Sequence, residues 1–150
     1  MACPNLGKNA RIGLGSNYVA RMTSFSLTIN NGNAEVTEFG IDWNKYCQTV
    51  QNWNAVVEGY YDRVRTEGGA SVGDVRQDQL HSIAVSAGEV ENIRFYENIN
   101  ATPNYYWACD TVTDSNASAF IESYTWNADP NGIVTFTMNI KGNGPIYRTS

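Results

Sequence analysis

The residue types that most often carry out catalysis are scarce in this sequence, and their spacing forms no catalytic motif. His81 is the only histidine, so the count alone excludes a histidine-based metal cluster. A nucleophilic site would have to combine His81 with Cys47 or Cys109, and nothing beside either cysteine resembles an activating motif. The sequence therefore predicts a packed or solvated His81, no catalytic residue and no bound metal.

Carboxylates are plentiful, which leaves a glycosidase-like pair of acids to consider. Glu35 and Glu38 fall on opposite faces of a strand by their spacing, and Glu122 lies among three aromatic residues. Aromatic neighbours can raise the pKa of an acid enough for general acid catalysis, but a charge on a strand edge also discourages unwanted pairing. We favour the second interpretation. Gly13-Leu14-Gly15 lacks the third glycine of a dinucleotide fingerprint and is interpreted as a turn, so no cofactor is expected.

Clusters of aromatic residues suggest a second kind of site, for carbohydrate. Tyr60-Tyr61, Tyr105-Tyr106-Trp107 and Trp126 could stack on pyranose rings. Tyr and Trp also anchor protein–protein contacts. In a domain of this size several of them must be core residues, so the order of preference is core, then subunit interface, then carbohydrate.

Composition indicates one β-rich domain of 150 residues. Charged residues make up only 17% of the chain, while nine Tyr, four Trp and five Phe favour strands. A net charge of −5 argues against binding nucleic acid by neutralising phosphates. The first thirty residues contain basic but no acidic residues, an asymmetry that would serve head-to-tail stacking of copies.

The cysteine pattern and the lack of long apolar runs indicate the redox environment of the protein and its relation to membranes. Three cysteines without a CxxC spacing indicate reduced thiols rather than a disulfide framework or a zinc site. The start of the sequence lacks the apolar run of a signal peptide, and no stretch approaches transmembrane length. We therefore expect no membrane anchor.

Alternation of apolar and polar residues predicts the strands that would position these side chains. Phe25, Leu27 and Ile29 alternate with polar residues, and Asn31-Gly32 is typical of a tight hairpin turn. The return strand would place Ala34 and Val36 on the same core face.

Further strands are predicted at residues 53–61, 93–97, 105–113, 118–126 and 133–141. In the fourth of these, spacing assigns Ser118, Phe120, Glu122, Tyr124 and Trp126 to one face. Residues 74–87 carry apolar residues at spacings of three and four, which predicts a short helix. The predicted fold is mainly β: a β-sandwich or barrel of about seven or eight antiparallel strands with one short flanking α-helix.

Taken in order, several of these stretches resemble the tail tube (major tail) proteins of siphophages. The resemblance spans roughly residues 18–146 and rests on Thr23–Asn30, Thr37–Gly40 with Trp43–Tyr46, Val57–Asp62, Asn92–Asn98, and Gly132–Thr137 with Gly142–Pro145. It implies a β-sandwich with a flanking helix, hexameric rings stacked into a tube, passage of genome DNA through the lumen, and no catalysis.

The resemblance also implies a place and partners: a virion tail assembled in the host cytoplasm, with tape measure, tail terminator and distal tail proteins as neighbours. An acidic protein suits this role, because a weakly anionic wall repels DNA where a basic one would bind it. The alternatives are a carbohydrate-binding β-sandwich module and the tube protein of a contractile tail or secretion apparatus.

Two sets of contact residues follow from this hypothesis. Inter-ring contacts are expected from an N-terminal arm (residues 1–17) and a long loop (residues 39–52), with Lys8, Arg11, Trp43, Lys45 and Tyr46 as candidates. Lumen-facing candidates are the polar residues opposite the core face of the first hairpin and of the last strand, namely Ser24, Ser26, Thr28, Glu35, Thr37, Thr135, Thr137 and Asn139.

Overall fold

The structure, a computed structural model, describes residues 7–40 and 42–149. Over these residues the chain forms two five-stranded antiparallel sheets, a separate two-stranded hairpin and one α-helix, α1 (Val75–Ser86). In chain order the strands are β1 (Arg11–Leu14), β2 (Asn17–Tyr18), β3 (Met22–Val36), β4 (Lys45–Tyr60), β5 (Arg65–Glu67), β6 (Ala70–Val72), β7 (Glu89–Val90), β8 (Ile93–Tyr96), β9 (Tyr106–Cys109), β10 (Ser118–Asn127), β11 (Thr135–Asn143) and β12 (Ile146–Arg148).

The predicted mainly-β fold with one flanking helix is confirmed. Strands outnumber the prediction because several contain only two to four residues, too few for alternation to reveal them. Sheet I has the strand order β12-β9-β8-β1-β2, and sheet II has the order β3-β4-β11-β10-β7. No helix within the two described ranges is long and apolar enough to cross a membrane.

The core lies between the two sheets and follows the predicted alternation on the central strands. On β4 the side chains of Trp53, Ala55 and Val57 are buried, and on β11 those of Phe136 and Met138 are buried. Register places these residues side by side, with Val57 opposite Met138. We call this the inner face of sheet II, and the face turned away from sheet I its outer face.

Helix α1 is held to the end of β4 by buried polar contacts. Asp74 caps its first turn by accepting a hydrogen bond from the backbone N–H of Gln77 at 2.8 Å. The fully buried Gln77 side chain donates to the carbonyl oxygens of Ala20 (3.1 Å) and Tyr60 (2.9 Å) and accepts from the backbone N–H of Asp62 (2.5 Å). The Gln77 side chain thus links the helix both to the residue segment before β3 and to the end of β4.

The predicted turn at Asn31-Gly32 is wrong. Strand β3 continues through these residues, and its partner in the hairpin is β4, reached through residues 37–44. The register shifts between Asn31 and Asn33, and a Cβ on Gly32 would lie 2.8 Å from the carbonyl oxygen of Val50. Gly32 therefore permits close approach of β4 at a β-bulge. In the sequence, a glycine needed for this reason looks the same as a glycine in a hairpin turn.

The boundaries of the predicted arm and loop also need correction. Residues Arg11–Leu14 form β1, whose Ile12 and Leu14 are buried in the core, so residues 1–17 are not an arm throughout. Residues Met1–Leu6 lie outside the described residues. Within the predicted loop of residues 39–52, the part from Lys45 onward is strand β4.

A second bulge overturns the face assigned to β10. The register shifts between Ile121 and Ser123, so Glu122 is an extra residue and the alternation reverses beyond it. Phe120 pairs with Lys141 on the outer face, whereas Tyr124 pairs with Met138 on the inner face. The prediction that they share a face is therefore wrong.

Candidate assembly surfaces

The most prominent surface is an arm formed by the distal part of the β3–β4 hairpin, residues 30–52. Strand β11 pairs with β4 only between Asn54 and Tyr60, so the arm is a two-stranded ribbon that extends beyond the sandwich. Amide side chains bridge its two strands at the base: Asn30 Nδ2 donates to Asn52 Oδ1 at 2.9 Å, and Gln51 Nε2 donates to Asn31 Oδ1 at 2.5 Å. Polar ladders of this kind stabilise the ribbon without a hydrophobic core.

The arm carries large apolar side chains that no other part of residues 7–40 and 42–149 covers. Trp43 is 85% exposed, and Phe39, Tyr46 and Val50 are also largely exposed. Trp, Tyr and Phe are the residues that most often dominate protein–protein interfaces. A ribbon with this composition is suited to bind another protein surface.

The candidate inter-ring residues fall in two places. Trp43, Lys45 and Tyr46 lie together in the arm and are exposed. Lys8 lies in a 3-10 turn (Gly7–Asn9), and Arg11 begins β1 with its guanidinium donating to the carbonyl oxygens of Lys8 and Ala10. Arg11 belongs to sheet I, whereas Lys45 and Tyr46 belong to sheet II, and the contacts of both sets in an assembly remain predictions.

The outer face of sheet II forms a polar surface. Strand registers align three rows across β3, β4, β11 and β10: Thr28–Asn54–Lys141–Phe120, Ser26–Val56–Asn139–Ser123, and Ser24–Glu58–Thr137–Thr125. Hydrogen bonds join neighbours within the rows, from Ser24 Oγ to Glu58 Oε2 at 3.3 Å and from Asn139 Nδ2 to Ser123 Oγ at 2.6 Å. Most of these side chains are polar and uncharged; Val56 and Phe120 are apolar, and Glu58 and Lys141 are charged.

Most of the lumen candidates lie on this surface, but Glu35 and Thr37 do not. Ser24, Ser26, Thr28, Thr135, Thr137 and Asn139 share the outer face. Glu35 pairs with Tyr46 in the arm, and Thr37 follows the end of β3. Their grouping with Ser24 depended on the turn at Asn31-Gly32. At the bulge the extra residue lies on β4, so alternation continues along β3 and places Glu35 on the face opposite Ser24; the predicted grouping of these two residues is therefore wrong.

Glu58 lies on the outer face of sheet II but is not among the lumen-facing candidates predicted from the sequence. It lies on β4 between Ser24 and Thr137 and is exposed. Alternation along residues 53–61 of the sequence puts Glu58 on one face and Ala55 and Val57 on the other. If β4 had been paired directly with β3 in the prediction from sequence, Glu58 would have been placed beside Ser24.

Sheet II also has two free edges among the described residues. Strand β3 pairs only with β4, and its other side has no partner strand. At the opposite edge, β7 pairs with β10 only at Ala119 and Phe120, which leaves residues 121–127 of β10 without a second partner. Unpaired strand edges are templates for pairing with another chain.

The residues considered for catalysis are placed as structural groups. His81 is fully buried against the rings of Tyr61, Tyr124 and Phe136, with Nε2 3.1 Å from Gln77 Oε1. Burial lowers the pKa of His81 to about 4, assisted by Arg63.

The described cysteines and carboxylates form no reactive cluster. Burial raises the pKa of the Cys109 thiol to about 11, which disfavours the reactive thiolate. Cys47 is a free, exposed thiol in the arm, and Cys3 lies outside the described residues. Within residues 7–40 and 42–149 no three His, Cys, Asp or Glu side chains are grouped closely enough to hold a metal ion.

Comparison with solved structures identifies the class of fold. A chain from the virion of a native gene transfer agent particle superposes with a TM-score of 0.67, covering 98% of this chain and 100% of that chain at 14% identity. A chain of the SPP1 tail tube gives 0.66 over 98% of this chain and 80% of that chain, at 12% identity. The sheath/tube terminator of an extracellular contractile injection system, PVC, gives 0.66 over 99% of both chains at 15% identity.

No family model matches the sequence, and no curated protein matches it. The structural likeness nevertheless extends over almost the whole chain. This protein has the fold of tail tube proteins, as the sequence resemblance implied. The same fold occurs in a component of a contractile injection system.

Proposed function

We propose that this chain is the subunit of a tail tube: copies join edge to edge into closed hexameric rings, and the rings stack into a tube that conducts genome DNA during ejection. The role is structural and non-enzymatic, in a virion tail assembled in the host cytoplasm. Its neighbours in the tail would be tape measure, tail terminator and distal tail proteins. The likeness of fold to tail tube proteins supports this proposal.

The observation that carries it is the pair of free edges on sheet II. Strands β3, β4, β11 and β10 alternate in direction, so the first and last of these long strands are antiparallel. When copies are related by rotation about an axis that runs roughly along the strands, β10 of one copy meets β3 of the next in antiparallel orientation. This heterologous contact repeats without a change of geometry and closes into a ring.

The outer face of sheet II is the surface that we assign to the channel. In the three aligned rows one cation, Lys141, is balanced by one acid, Glu58, and the other side chains are uncharged, so each copy offers DNA no cluster of cations. The arm is assigned to stacking, because it extends beyond the sheet along the strand direction and exposes Trp43 and Tyr46. Lys45 accompanies them, and Lys8 and Arg11 would add contacts from the other sheet.

Electron microscopy of the purified protein in negative stain, over a range of concentrations, tests the proposal. Rings or tubes are expected at high concentration, alone or with other tail components. A protein that remains monomeric under all these conditions would contradict the proposal, and binding of that monomer to a glycan array would favour a carbohydrate-binding module. A sheath protein that coats the tube would assign it to a contractile tail or a secretion apparatus.

A further inference from the structure

The apolar core of the sandwich is open along β3. Phe25, Leu27 and Ile29 lie on the inner face of sheet II yet are only partly covered, whereas Ala55 and Val57 on the adjacent strand are fully buried. Together with Phe95 and Trp107 of sheet I, the three β3 side chains line a groove of about 430 Å³. Exposed apolar surface of this kind is unfavourable in water and marks a place where another surface binds.

The opposite edge of the same layer is open as well. On the inner face of β10, Ile121 and Tyr124 are half-buried and Trp126 is 51% exposed. The two open ends lie at the same level along the strands, because register aligns Leu27, Ala55, Ile140 and Ile121 in one row and Phe25, Val57, Met138 and Tyr124 in the next. The ring of Trp126 is covered on one side by Tyr61, with centroids 5.8 Å apart. A single copy thus has an open groove at one end of its core and partly covered apolar side chains at the other.

We propose that the groove along β3 is filled by the inner face of β10 from the neighbouring copy, namely Ile121, Tyr124 and Trp126. This inference rests on the proposed ring. Once β3 pairs with the neighbour's β10, side chains on the same face of the two strands come within about 5.5 Å of each other between Cβ atoms. The core of the sandwich then runs without a break from copy to copy around the ring, and Trp126 is its main anchor.

Engineered cysteines test which faces meet. In a Cys3→Ser, Cys47→Ser background, Leu27→Cys is combined in turn with Ile121→Cys, Tyr124→Cys and Trp126→Cys, and the assembled protein is oxidised. At least one pair is expected to give a ladder of covalent oligomers on non-reducing gels. Ser26→Cys with the same partners is the matched control, because Ser26 lies on the outer face and its Cβ points away from the neighbour's inner face.

Truncation of the anchor gives a second measurement. Trp126→Ala is expected to raise the protein concentration needed for assembly at least tenfold, as the loss of an interface hot spot does. Val112→Ala, which shortens an exposed apolar side chain in residues 110–117 outside both sheet II edges, should leave that concentration unchanged. Circular dichroism of the monomers checks that both variants are folded.

The outcomes separate this inference from the proposed function. If the unmodified protein forms tubes but no Leu27→Cys pair cross-links and Trp126→Ala assembles as Val112→Ala does, the groove has another occupant and the inference is wrong. A cross-link from Ser26→Cys instead would mean that the opposite faces meet. If the unmodified protein forms no rings or tubes at all, the proposed function itself has failed.

Discussion

The two halves of the β3–β4 hairpin are built from the same strands but have opposite environments. Near the sandwich, Trp53 is 2% exposed and packs on Phe95, with ring centroids 6.3 Å apart. In the arm, Trp43 is 85% exposed and Tyr46 is 62% exposed. The difference lies in what covers the ribbon, since sheet I and β11 are present beside one half and absent beside the other.

This contrast separates residues that stabilise the subunit from residues that act between subunits. Burial of an apolar side chain contributes about 1.5–3 kcal/mol to folding, and an exposed one contributes almost nothing. The apolar residues of the arm therefore have no stabilising role in the isolated chain. Their effect should appear only when copies assemble.

The largest effect on stability is expected from Trp53→Ala. The change removes a buried indole that also contacts Gly142, where an added Cβ would lie 2.1 Å from the ring. Loss of a buried Trp costs about 3–5 kcal/mol, which corresponds to roughly 10 °C in Tm for a chain of this length. Thermal unfolding of the monomer measures it. A shift in Tm of only a degree or two would show that the part of the hairpin near the sandwich does not belong to the core.

Acid should lower the stability of the sandwich through His81, which lies on α1 and packs against Tyr61 and Phe136. Its pKa is about 4 in the folded chain and about 6.5 when unfolded, so between these values the unfolded chain binds more protons and stability falls as pH decreases. Denaturant titrations should give a free energy of unfolding about 2 kcal/mol lower at pH 5 than at pH 8. The His81→Gln variant, which lacks the titrating group, should lose most of this difference. An unchanged pH dependence in the variant would assign it to another group, such as the carboxylate of Asp62, whose pKa the hydrogen bond from Arg65 lowers.

Trp43→Ala should have the opposite profile to Trp53→Ala. Because Trp43 is exposed, the free energy of unfolding should change by less than about 0.5 kcal/mol. Ring stacking should weaken, so that electron micrographs show short tubes or single rings at concentrations where the unmodified protein forms long tubes. Tubes of normal length would remove Trp43 from the stacking contact.

The contrast between the halves also defines what the sequence could predict. Alternation identified the inner and outer faces of β11 and of β4 from Trp53 onward, because one side of each is buried. The turn signal at Asn31-Gly32 and the alternation at Glu122 both gave wrong predictions, because bulges change the register at these two places. A bulge depends on how two strands approach each other, and the residues of one strand do not encode it alone.

The two-stranded arm was not predicted from the sequence for a related reason. Residues 45–52 have little alternation, since neither face of the ribbon is covered, and the segment was predicted as a loop. Strand β1 was missed because it is four residues long and its Gly13 gives no pattern. An added Cβ on Gly13 would lie 2.8 Å from the ring of Tyr96, so packing requires this glycine. Of the predicted turn at Gly13-Leu14-Gly15, only Gly15 lies in a turn, with a positive φ of 65° between β1 and β2.

The last prediction concerns an acid in each half, Glu58 on the outer face of sheet II and Glu35 in the arm. Both are exposed, so replacing either by Lys should leave the free energy of unfolding nearly unchanged. If the outer face lines the channel, Glu58→Lys adds a ring of cations that bind phosphates, and this binding weakens as salt concentration rises. Particles with Glu58→Lys should then assemble normally but eject DNA slowly, with the defect relieved at high salt, while Glu35→Lys particles eject at the normal rate. Slow ejection from Glu35→Lys particles alone would place the arm in the channel, because only a cation that meets the DNA can retard it.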